Sequence, residues 1–132
     1  MEERVSKEKE QEIMDKLFPN SVVKEDSSRI FSTGARRNDA TGKGRYDLLP
    51  PEAIEAIAKR FEYGAKLHGE NNYKLGVPNS SLFDSALRHM FQALAGMKDE
   101  PHLAAAACNI CMLLYNEARR TGRSSSPDAP QR

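Results

Sequence analysis

Between Gly34 and Asp47 the chain sets four cations, Arg36, Arg37, Lys43 and Arg45, among three glycines, Gly34, Gly42 and Gly44, within fourteen residues. Lysine and arginine offer charge-assisted donors, and glycine lets backbone N–H groups approach an anion with no Cβ in the way. The pattern suits phosphate, with a solvated basic linker as the plain alternative. It is not a Walker loop. Gly42-Lys43 runs into Gly44, and Arg37 stands where that motif needs its earlier glycine.

A second group of polar side chains falls in the region that follows. Glu55, Lys59, Glu62 and Lys66 recur at helical spacing, as a surface stripe of ion pairs or as acids of a site. Arg88, His89 and Gln92 sit together, and His102 and Asn109 lie seven residues apart, with Ala105 and Ala106 leaving room between them. These residues could wall a pocket, although a histidine satisfied on a helix surface is the commoner arrangement. Residues 67–74 bring Asn72 and Tyr73 beside Glu70, amides and a ring able to hydrogen-bond and stack on a nucleobase. Cys108 and Cys111 form a C-x-x-C among small and apolar residues, which fits two reduced core thiols better than a zinc or redox site.

The elements that must position these groups are helical. Residues 1–20 form an N-terminal segment whose sparse apolar set, Val5, Ile13, Met14, Leu17 and Phe18, suits a short helix ending before Pro19. Residues 21–49 are expected to be extended and irregular, with β-prone pieces at Val22-Val23 and Arg29–Phe31 ahead of the basic loop. Residues 50–120 should hold the binding domain in three helices, and residues 121–132 a disordered tail. The first of the three starts at Pro50-Pro51 and carries Ile54, Ile57, Ala58, Phe61 and Ala65 on one face. The second starts at Ser80 or Ser81, capped with help from Asp84, and buries Phe83, Ala86, Leu87, Met90 and Leu94. The third follows the cap-and-proline signal Asp99–Pro101 and buries Leu103, Ala107, Ile110, Cys111, Leu114 and Ala118. The fold class is therefore all-α, a small helical bundle of three main helices plus a short N-terminal helix and an irregular Gly/Arg-rich segment.

Composition limits the partners. A chain of 132 residues buries a modest core, so association into a homo-oligomer is expected. The net charge of +1 gives no global field toward nucleic acid, which is the weaker partner, and no apolar run is long enough for a membrane span or a secretion signal. A cytoplasmic protein is the expectation.

In order along the chain, Gly34–Arg37, Gly44–Ala53, Glu62–Lys66, Gly69–Tyr73, Ala86–His89 and His102–Asn109 resemble the N-terminal domain family of phage-type dATP/dGTP diphosphohydrolases. The resemblance covers roughly residues 32–118. It implies a helical domain handling purine deoxynucleotides in the host cytosol of a phage, related to the MazG-like pyrophosphohydrolases. Those relatives hold divalent metal on an E-x-x-E pair and an E-x-x-D pair. Glu52-x-x-Glu55 has the first spacing, with Glu62 two turns on, whereas the counterpart of the second pair is Ala106-x-x-Asn109, where the carboxylates are missing.

Two functions follow. As an enzyme, the chain would hydrolyse dATP or dGTP to the monophosphate and pyrophosphate with Mg²⁺ or Mn²⁺, using Glu55 and Glu62 as catalytic groups and Glu52, Glu55 and Glu62 as metal ligands. Substrate would be held by Arg36, Arg37, Lys43, Arg45, Tyr46, Lys66, Asn72, Tyr73, Arg88, His89, His102 and Asn109. As a sponge, it would sequester a purine nucleotide or a cyclic-nucleotide immune signal with no metal at all.

Overall fold

The computed structural model describes residues 5–18 and 28–120. The expectations for Val22-Val23 and for residues 121–132 lie outside the described residues. The chain divides into two compact units, residues 1–48 and 49–132.

In the first unit, α1 (Lys7–Leu17) begins where Ser6 Oγ accepts from the backbone N–H of Lys9, and carries Glu8 and Glu10 in its first turn, where acids favour the helix dipole. Strands β1 (Ser28–Ile30) and β2 (Arg36–Asn38) pair antiparallel, Ser28 opposite Asn38 and Ile30 opposite Arg36. The segment expected to be irregular therefore contains a hairpin. Its loop is closed by a bond from Gly34 N–H to the Phe31 carbonyl. Gly42 has φ +81°, and a Cβ there would lie 3.1 Å from the Lys16 carbonyl oxygen, so both backbone and space require glycine.

The second unit holds α2 (Pro51–His68), α3 (Asn79–Leu94) and α4 (His102–Arg120), with a 3₁₀ turn at Asn72–Leu75. Both α2 and α3 pack on α4. Asn116, buried on α4, donates to the Val77 carbonyl at 3.1 Å and to Asn79 Oδ1 at 2.8 Å, tying α4 to the start of α3.

The helices stand where the sequence places them, but two of them turn a different face inward, and on α2 no residue is buried and Ile54 is exposed. On α3 the buried residues are Leu82, Ala86 and His89, while Phe83, Leu87, Met90 and Leu94 are exposed. On α4 they are His102, Ala104, Ala105, Ala106, Cys108 and Asn116, and Leu103, Ile110 and Leu114 are exposed. The cause is backbone proximity: Ala105 and Ala106, at 1% and 2% exposure, are the small residues that permit close helix contact. The large side chains are left on the outer flanks. Helix α3 also starts earlier than expected, at Asn79, and Asp84 pairs with Arg88 at 3.2 Å instead of completing a cap.

Candidate functional site

Residues of α2, the α2–α3 link, α3 and α4 wall a cavity of about 620 Å³. Helix α2 supplies Arg60, Phe61, Glu62, Tyr63, Gly64 and His68. The link supplies Glu70, Asn71, Asn72 and Tyr73, α3 supplies Ser85 and His89, and α4 supplies Ala105, Cys108, Asn109 and Met112. The link is shaped by Gly69 and by Asn71, which takes a left-handed conformation at φ 60°. Tyr73 is fixed edge-on between Phe61 and Tyr115, at ring distances of 5.8 and 5.1 Å. Burial raises the Tyr73 phenol above its ordinary pKa, so it stays a neutral donor.

Of the residues singled out from sequence, Glu62, Asn72, Tyr73, His89 and Asn109 meet around this cavity. Asn109 Nδ2 donates to the Ala105 carbonyl at 2.9 Å, which turns its Oδ1 into the available acceptor. Arg88 is spent on Asp84 and Ser85. On the exposed side of α2, Glu55 pairs with Lys59 at 3.0 Å and Glu62 with Lys66 at 3.5 Å, contacts worth a few tenths of a kcal/mol that a ligand displaces readily. In the other unit, Arg45 makes a two-pronged contact with Asp47 at 2.9 and 2.7 Å, while Arg36, Arg37 and Tyr46 are exposed. Arg45 and Asp47 each stabilise the other's charged form.

His102 leaves the cavity wall and joins a buried cluster. Its Nε2 lies 2.7 Å from Asp99 Oδ1, and its Nδ1 lies 2.9 Å from Nδ1 of His89. Glu100 Oε1 approaches both rings, at 3.3 Å from His89 Nδ1 and 3.6 Å from His102 Nδ1. The hydrogen bond from His102 lowers the Asp99 pKa, so Asp99 is a carboxylate and His102 Nε2–H is the donor. Burial pushes the His89 imidazole below its ordinary pKa, with Glu100 opposing, which favours the neutral ring.

Arg60 is the cavity residue that sequence reading passed over. It lies between Ile57, Phe61 and Gly64 on one helical face, and a cation inside an apolar stripe is the signal that could have found it. Its guanidinium sits 4.9 Å above the Tyr63 ring. Cys108 is buried against the Ile57 carbonyl at 3.6 Å and its thiol is pushed up to about 11 by burial, so little thiolate exists near neutrality. Both cysteines are free.

The second unit is all-α, and its helices wall an open cavity lined by aromatic, amide, cationic and acidic groups. Residues 33–126 match the family model described as dATP/dGTP diphosphohydrolase, N-terminal, and the chain belongs to that family. Searches among curated proteins and among solved structures return no match. No helix among the described residues is long and apolar enough to cross a membrane.

Proposed function

We propose that the helical unit binds a purine deoxynucleoside triphosphate in the α2–α3–α4 cavity and hydrolyses it to the monophosphate and pyrophosphate. The observation that carries this reading is the convergence of Arg60, Glu62, Tyr73, His89 and Asn109 on one space of about 620 Å³, inside the range of small-ligand sites. Asn72 and Asn109 supply amide groups for base edges, and Arg60 a planar cation for phosphate. Glu62 is the base: it takes a proton as water oxygen bonds to the α-phosphorus, and the α–β bridging oxygen departs with pyrophosphate. In their own unit, Arg36, Arg37 and Lys43 are exposed cations open to an anion.

Among the described residues, the one trio of His, Cys, Asp or Glu with ligand atoms within 4.8 Å of one another excludes Glu52, Glu55 and Glu62. Mg²⁺ or Mn²⁺ is accordingly assigned to the triphosphate, as the counter-ion with which substrate arrives. The same lack of convergent carboxylates favours the second reading, a sponge that holds a purine nucleotide intact. Incubation with dATP or dGTP and Mg²⁺ separates the two. Pyrophosphate release that Glu62→Gln abolishes, with binding retained, supports the enzyme; tight binding that survives EDTA without pyrophosphate supports the sponge.

The exposed apolar flank is assigned to a second copy of the chain. Phe83, Leu87, Phe91 and Leu94 repeat at helical spacing on α3, Leu103, Ile110 and Leu114 are exposed on α4, and Phe91 and Leu94 are 66% and 82% exposed. Light scattering should give at least twice the chain mass, and Leu87→Glu with Phe91→Glu should reduce it to the monomer's. A monomeric wild type at micromolar concentration contradicts the assignment.

A further inference from the structure

We infer that His89, Glu100 and His102 form a binding site for one divalent transition-metal ion of the zinc class, ligated by the two Nδ1 atoms and one carboxylate oxygen. The inference shares His89 with the nucleotide reading but does not rest on it.

Four observations support it. The three ligand atoms form a triangle with sides of 2.9, 3.3 and 3.6 Å. A tetrahedral ion with bonds of about 2.0–2.1 Å separates its ligands by about 3.3 Å, close to the mean of these sides. The tautomer is also set: Asp99 takes the Nε2–H of His102, leaving its Nδ1 lone pair facing inward, and this imidazole-to-carboxylate contact is the usual outer support of a metal-bound histidine.

Charge balance points the same way. His102 faces Asp99 through Nε2, and the three remaining atoms, two ring nitrogens and one carboxylate oxygen, converge on one space where a cation meets an electron pair from each. Finally, the ligands come from three places: the second half of α3, the α3–α4 link and the first turn of α4. His89 and His102 are buried at 8% and 3% exposure, whereas the Glu100 side chain is 38% exposed and gives the ion a way in. Two nitrogens and one oxygen select Zn²⁺, Co²⁺ or Ni²⁺ over Mg²⁺, which prefers oxygen and octahedral geometry. Three protein ligands leave a fourth tetrahedral position, and His89, a wall of the cavity, connects the ion to the binding space.

The test titrates the untagged, metal-stripped chain with Co²⁺ and follows the visible bands of tetrahedral coordination, then competes with Zn²⁺ and Mg²⁺. One equivalent of Co²⁺ should produce the bands, Zn²⁺ should erase them and raise the melting temperature, and millimolar Mg²⁺ should leave them intact. Asp99→Asn, outside the ligand set, should weaken Co²⁺ binding by about 10–100-fold, and Glu100→Gln, which removes a ligand from a partly exposed position, by at least as much. Absence of the bands in a folded wild type overturns the site and leaves the cluster as a proton-shared histidine pair held by Asp99 and Glu100. Wild-type affinity in both folded variants overturns it equally. Neither result alters nucleotide binding in the cavity, which calorimetry on the same metal-stripped sample reads separately.

Discussion

Gly64→Leu should weaken nucleotide binding by well over tenfold and at the same time raise the melting temperature. Gly64 lies in the body of α2 and lines the cavity, and a Cβ built there meets no neighbouring heavy atom within 4 Å. The substitution therefore starts from open space, and the side chain extends into the space proposed for the ligand. Glycine inside a helix is about 0.8–1 kcal/mol less favourable than alanine, with leucine near alanine, so stability should increase by a similar amount. For a unit of this size that corresponds to a rise of about 4–8 °C. Calorimetry should show affinity for dATP or dGTP reduced by well over tenfold, while a thermal scan shows the gain. A more stable protein with unchanged affinity would place the ligand elsewhere.

Arg60→Gln carries the second large effect. The arginine is half-buried, it stacks on Tyr63, and it is the one lysine or arginine among the cavity-lining residues. Hydrogen bonds to a charged group contribute about 1.5–3 kcal/mol, so a triphosphate should bind about 10–150-fold more weakly to the variant. The unphosphorylated nucleoside should lose almost nothing. Equal losses for nucleoside and triphosphate would show that Arg60 shapes the cavity and does not meet phosphate.

The elements were legible in the sequence because their boundary signals are local. Pro51 at the first turn of α2, Gly69 after its end and Pro101 ahead of α4 depend on one or two residues each. The inward faces of α3 and α4 were not legible, because a rule that buries the largest apolar residues selects Phe83, Leu87 and Ile110, whereas the contact is made by alanines that let the backbones approach. That rotation also explains the site. It carries His89 and His102 inward to meet each other, a contact between residues thirteen apart that no helical period encodes. Asn72, Tyr73 and Asn109 stand out in the sequence by type alone, as amide and aromatic groups near a helix junction, and they line the cavity. Arg60 was hidden because the charged stripe of α2 runs through Glu55, Lys59, Glu62 and Lys66 and leaves it out, while Glu100 read as no more than part of a helix-start signal.

The most direct measurement is a crystal structure of the chain with a non-hydrolysable dATP or dGTP analogue bound. The account predicts the analogue within the α2–α3–α4 cavity, its base against the amides of Asn72 and Asn109, its phosphates on Arg60 and its α-phosphorus within reach of a water held by Glu62. An analogue bound on the Arg36–Lys43 surface alone, with the helical cavity left to solvent, would contradict it.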